Sequence, residues 1–171
     1  NLVPYSDDYG MSTERHAMQH LSGLIRDRGW ADLKLGVEME NYYFSARAHQ
    51  VLTQELRGPF IDATALVHWQ RAVKSVTELD YMRKAARIVE RMHERIFEIM
   101  APGKRRNEAA AEIYTTGIWG AEQDGVAFGG DYPAIAPLMP SGLDATAAHL
   151  TWDDRPFEKD TATFFEIAGV Y

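Results

Sequence analysis

Ser75-Val76-Thr77-Glu78 pairs a hydroxyl with a carboxylate three residues on, so that each side chain can satisfy a backbone N–H at a helix start. Leu79, Met82, Ala86, Val89, Met92, Ile96 and Ile99 then recur at steps of three and four. Glu78, Lys84, Arg87, Glu90, Arg91 and Glu94 fall mostly off that stripe. The pattern predicts one long amphipathic helix, ended by Pro102-Gly103. Everything else in the chain must be arranged around a rod of this length, which needs a partner for its apolar side.

Upstream, the pattern alternates between helix and strand. Ser12 is an N-cap candidate for a helix carrying Ala17, Met18, Leu21, Leu24 and Ile25 and closing at Gly29. Leu33, Leu35, Val37 and Met39 have the period of a half-buried strand. Ala48, Val51, Leu52 and Leu56 make a second helix face, closed by Gly58-Pro59. A strand at Phe60 to Asp62 and a helical turn from Leu66 to Trp69 follow. The α-β-α-β-α order implies part of an α/β domain with a largely parallel sheet.

Downstream, a second helix capped by Asn107 is expected to bury Ala110, Ile113, Tyr114, Gly117, Ile118 and Ala121 and to stop near Gly125. From Val126 the helical period disappears, and Gly129, Gly130, Pro133, Pro137, Pro140 and Gly142 punctuate short apolar runs. Three antiparallel strands are predicted, at Tyr132 to Met139, His149 to Trp152 and Thr161 to Ala168. The change in character across Arg71 to Val76 sets a domain boundary, with 1-71 as an α/β unit and 72-171 as an α+β unit. Asn1 is not a start methionine, and the chain stops at Tyr171 inside an expected strand. The expectation is an internal piece of a longer enzyme, incomplete at both ends.

Composition narrows the function classes. The 171 residues carry 25 acidic and 18 basic side chains, a formal charge of −7, with 46% hydrophobic residues. That argues against nucleic acid as a partner, since the one basic cluster, Lys104-Arg105-Arg106, reads as a solvated turn. With no cysteine, disulfides, thiolate metal sites and thiol nucleophiles are excluded. No apolar run reaches the roughly 18 residues of a membrane span. A cytoplasmic location, with no membrane partner, is the resulting expectation.

Glu166 sits in Phe164-Phe165-Glu166-Ile167-Ala168, among apolar neighbours. An unpaired buried charge costs several kcal/mol, so such a residue is usually paired, metal-bound or catalytic. Spacing also allows it to face solvent, although Phe164 and Ala168, on its own face at period two, are apolar. His149 follows Ala147-Ala148 at the start of the neighbouring predicted strand, where antiparallel pairing could bring it to Glu166. An imidazole beside a carboxylate is an acid–base unit usable at physiological pH, and a structural histidine is the alternative. The other histidines, His16, His20, His49, His68 and His93, fall in helical segments as surface or core residues. Asp153-Asp154 reads as a turn cap. Gly129-Gly130 lacks the Lys-Ser/Thr of a phosphate loop. Tyr132, Trp152, Phe164 and Phe165 are either core or a lining suited to a small cation.

The helix opening Thr77-Glu78-Leu79-Asp80-Tyr81-Met82-Arg83-Lys84-Ala85-Ala86, the Pro-Gly helix end, the lone His and the acid in a hydrophobic strand together resemble the creatinase/prolidase superfamily. The resemblance implies an α/β N-terminal domain remnant followed by the first half of an α+β pita-bread (creatinase/aminopeptidase-like) domain. Within that superfamily it narrows to the hydrolases that open the cyclic amidine of ectoine, a compatible solute. The narrower likeness rests on Gly36-Val37-Glu38-Met39-Glu40-Asn41-Tyr42-Tyr43-Phe44-Ser45-Ala46 and on Phe128-Gly129-Gly130-Asp131-Tyr132-Pro133-Ala134-Ile135. It also rests on His149-Leu150-Thr151-Trp152-Asp153-Asp154 and on Phe164 through Tyr171.

Metal-dependent members carry Asp-x-Gly-x-x-Tyr, whose Asp is a metal ligand, whereas this chain reads Glu166-Ile167-Ala168-Gly169-Val170-Tyr171. The resemblance with this departure implies a site without metal or other cofactor. It implies Glu166 as nucleophile or base, His149 as acid/base, and Asp131, Tyr132 and Trp152 as pocket lining. The implied substrate is a small zwitterion, the implied product N-acetyl-2,4-diaminobutyrate, and the implied assembly a homodimer. Two alternatives stand beside it: a metal-dependent Xaa-Pro peptidase, and a binding protein of this fold without turnover.

Overall fold

The computed structural model describes residues 2–132 and 135–171, and these divide into two compact units, Asn1–Val73 and Lys74–Tyr171. In the first unit, helix α1 (Ala17–Asp27) starts four residues later than Ser12 as cap would imply. His16 is the N-cap, its Nδ1 accepting from the Met18 N–H while the Gln19 side chain accepts from the His16 N–H. Ser12 instead receives the N–H groups of Glu14 and Arg15 in a separate turn. Strand β1 (Leu35–Val37) pairs in parallel with β2 (Phe60–Asp62), Leu35 opposite Phe60. Between them α2 (Ala46–Glu55), capped by Ser45, buries Ala48, Val51 and Leu52. Helix α3 (Leu66–Ala72) closes the unit. The α-β-α-β-α order is therefore present, with β2 at its expected residues and β1 shorter than the alternation from Leu33 to Met39 suggested.

The second unit is organised by α4 (Val76–Ile99), which begins with the expected reciprocal cap between Ser75 and Glu78. Its buried face is rotated from the expected stripe. Ile88, Met92 and Ile96 are buried, whereas Leu79, Met82 and Ala86 are exposed. The face is set by α5 (Arg106–Trp119), which supplies Ala109, Ala110, Ile113 and Gly117 to the same core. A side chain at Gly117 would meet the Met92 sulfur at 3.1 Å, so the glycine is what lets the helices close. Arg105, not Asn107, occupies the N-cap of α5, and no side chain caps it.

Helix α5 ends at Gly120, five residues before Gly125, because the intervening residues form a hairpin of β3 (Ala121–Gln123) and β4 (Val126–Phe128). Asp124 and Gly125 both have positive φ, at 53° and 78°, the two-residue turn whose twist suits a tight hairpin. Gly129-Gly130 is a packing device. A Cβ on Gly130 would fall 2.0 Å from the Gly117 carbonyl oxygen.

Beyond the hairpin, two of the three predicted strands pair only locally. Leu138 and Glu166 exchange backbone hydrogen bonds at 3.0 Å each way, and Ser141 bridges antiparallel to Thr163. Pro137 and Pro140 lack the N–H groups that a longer ladder needs. Pro133 and Ala134, within the first predicted strand, lie outside the described residues. The expected strand from His149 to Trp152 is absent. A 3-10 turn at Gly142–Thr146 leads into a turn that ends at His149, with φ +58°, and the Met139 N–H then meets the Leu150 carbonyl at 3.1 Å.

Candidate active site

Two segments of the second unit bring the acid and the histidine together. Glu166 is placed by its backbone exchange with Leu138, and the alternation of the strand sends Phe164 and Glu166 to one face. Phe165 and Ile167, on the other face, pack against the core. His149 is carried by the turn rather than by a neighbouring strand. Its Nε2 lies 3.9 Å from Glu166 Oε2. The two groups are 77% and 58% exposed, so of the two placements the spacing allows, Glu166 takes the solvent-facing one. The strand's other face takes the core contacts and leaves the carboxylate facing out.

The pair opens onto a cleft of about 420 Å³. Its remaining walls are apolar: Ala145, Ala147 and Ala148 on the turn side, Leu138 and Pro140 opposite, and Phe164 and Phe165. The run Ala145-Thr146-Ala147-Ala148 before a lone histidine is the sequence signal for the turn-side wall, because small side chains there leave room for a ligand. Asp131, Tyr132 and Trp152 do not line this cleft. The Asp131 N–H donates to the Val170 carbonyl, and its carboxylate accepts from the Tyr132 N–H at 2.6 Å. Tyr132 is exposed, while Trp152 is taken up by the core, edge-on to Tyr114 with ring centres 6.1 Å apart. Burial pushes the Tyr114 phenol above its ordinary range.

The turn bearing His149 is held at both ends by ions. Arg106, 7% exposed, donates to Asp144 at 3.0 Å and to Asp153 at 3.2 Å. Arg155 joins both carboxylates, reaching Asp153 through Nε at 2.6 Å. The Arg106 hydrogen bond holds the Asp144 carboxyl below its usual range, with the Arg155 charge adding to it. Arg155 does the same for Asp153, by side-chain and backbone hydrogen bonds. The Lys104-Arg105-Arg106 cluster is therefore not a solvated turn. Lys104 pairs with Glu112, Arg105 with Asp154, and Arg106 is buried because two acids from a distant loop meet it. Backbone hydrogen bonds from Arg106 to Arg155, and between Phe157 and Lys104, complete the clamp.

At the other end of the strand, Lys84 on α4 donates to the Tyr171 hydroxyl at 2.9 Å and lies 4.3 Å from its ring centre. This contact raises the Lys84 pKa, chiefly through the hydrogen bond.

Among the described residues no three His, Asp or Glu side chains converge as a metal-binding group. His149 and Glu166 offer two donors, fewer than the three protein ligands of a catalytic zinc. The described residues do not by themselves fit a metal.

Fold and site together define a creatinase/prolidase-type pita-bread protein. Residues 80–171 match metallopeptidase family M24, and the chain belongs to that family. It is 50% identical, over its whole length, to the ectoine hydrolase of Halomonas elongata, and spans 44% of that protein. It is 36% identical over 98% of its length to an uncharacterized hydrolase/peptidase of Sinorhizobium fredii, spanning 42% of it. The prolidase of Thermococcus sibiricus superposes on the full chain with a TM-score of 0.72 at 19% identity, the chain covering 42% of it. That likeness carries the fold. No helix among the described residues is long and apolar enough to cross a membrane.

Proposed function

We propose that the protein is a hydrolase that opens the cyclic amidine of ectoine to an N-acetyl-2,4-diaminobutyrate. The observation that carries this reading is the His149–Glu166 pair, held 3.9 Å apart on an otherwise apolar cleft. The 50% identity to an ectoine hydrolase supports ectoine as the substrate. An amidinium carbon is electrophilic and its charge attracts a carboxylate. Glu166 would attack that carbon or deprotonate a water that does, and His149 would protonate the departing ring nitrogen. Across the reaction one water is consumed and one ring C–N bond breaks. One nitrogen leaves as an amine while the other keeps the acetyl group.

The reading includes a metal-free reaction and a cytoplasmic homodimer acting on a small zwitterion. Membership of a metallopeptidase family favours a second reading, a metal-dependent Xaa-Pro peptidase. The test is Glu166→Gln in the intact enzyme, assayed for the acetylated diamino acid with and without a chelator. Turnover should fall by about 10² to 10⁴ in the variant, and chelation should leave the parent unaffected. Chelator-sensitive parent activity restored by manganese or zinc, with cleavage of Xaa-Pro dipeptides, selects the peptidase. Ligand binding without product selects an inactive binding protein.

A further inference from the structure

Phe164 is 62% exposed, yet it is fixed in place: its N–H donates to the Pro140 carbonyl at 3.1 Å, and it lies two residues from Glu166 on the same strand face. Phe164, His149 and Glu166 border one cleft together with Phe165, and its other walls are aliphatic. A cation entering there meets one carboxylate and two phenylalanines, of which Phe165 packs against the core while Phe164 is the exposed one. An aromatic face attracts cations through its quadrupole, and a flat delocalised cation can lie against the ring over its whole area. Leu138, Pro140 and the three alanines provide no comparable attraction and no hydrogen-bonding side chain. Of the four aromatics expected as core or as a cation lining, Phe164 and Phe165 are among the walls, and Tyr132 and Trp152 are not.

We infer that Phe164 is the residue by which the cleft selects planar amidinium-type cations over neutral amides of the same shape, its ring lying against the charged plane beside Glu166. The inference rests on the proposed reaction only in assigning ectoine as the natural cation. Phe164 acts in recognition and takes no part in bond making.

The experiment compares acetamidinium with acetamide, nearly identical in shape and different in charge, as competitive inhibitors of the intact enzyme and as ligands in NMR titrations. The parent should prefer acetamidinium. In Phe164→Leu that preference should shrink by about 3- to 10-fold, the range set by a partly exposed cation–π contact. KM for ectoine should rise more than kcat falls, and Phe164→Tyr should restore both. Equal preference in the parent and Phe164→Leu overturns the inference. So does a Leu variant with a lowered melting temperature and unchanged KM, which would make Phe164 a packing residue. If the parent does not open ectoine, the proposed function falls, and the titration still decides whether Phe164 selects the cation.

Discussion

The second unit holds two clusters that each join basic and acidic side chains, and they are built differently. His149 and Glu166 make a single loose contact between two mostly exposed side chains. Arg106, Asp144, Asp153 and Arg155 make a cross-linked set in which one guanidinium is buried and both carboxylates accept from two arginines. An exposed pair contributes little to stability, because water solvates each partner and screens the attraction. A buried one is costly to break, since the surviving charge is left without solvent. The clusters lie in one stretch of chain, with His149 between Asp144 and Asp153. The tight set thus anchors both ends of the turn, leaving the proposed catalytic pair, His149 and Glu166, free of packing duties.

That contrast separates activity from stability, and the sharpest break is His149→Ala. Turnover in the intact enzyme should fall by about 10² to 10⁴. The melting temperature should not move, because the ring is 77% exposed. A large loss of melting temperature would make His149 a structural residue. Next is Arg106→Ala, which strands Asp144 and Asp153 beside Arg155 alone. Denaturant unfolding should show a loss of about 3 kcal/mol, the low end for a broken buried pair because the carboxylates remain partly exposed. An unchanged midpoint would show the clamp to be no stronger than a surface pair.

Acid sharpens the same comparison. The folded pKa values of Asp144 and Asp153 lie below the ordinary 3.8. Their stabilisation is therefore complete above that value and is lost as pH falls through the folded values. Unfolding midpoints should drop below about pH 4, and this drop should be smaller in Asp144→Asn. A pH profile identical in the Asn variant would assign acid lability elsewhere. The smallest effect is expected at Ser75→Ala, a cap remote in sequence from either cluster, at about 1 kcal/mol with unchanged KM and kcat.

Much of the fold was legible because its signals are local. The Ser75–Glu78 box marks a helix start wherever it occurs, since the groups that satisfy each other are three residues apart. The parallel pairing of β1 with β2 followed from an alternation of elements. The hairpin at Asp124-Gly125 was equally local in its turn residues, and the helical spacing of Ala121 concealed it.

The site was legible only as residue types. Glu166 and His149 stand out in the sequence as an acid among apolar residues and a histidine after two alanines, but the expected strand for His149 does not form. What brings them together is the Leu138–Glu166 bridge and the turn held by Arg106. A charge run such as Lys104-Arg105-Arg106 looks solvated until the partners that bury it are known, and Asp144 and Asp153 lie some 40 residues away. The sequence by itself determined the presence of the helices, the Ser75–Glu78 cap and the chemical groups available. Tertiary structure alone decided which face of α4 is buried, which arginine is clamped and which aromatic residues border the cleft, because burial and charge pairing depend on residues distant in the chain.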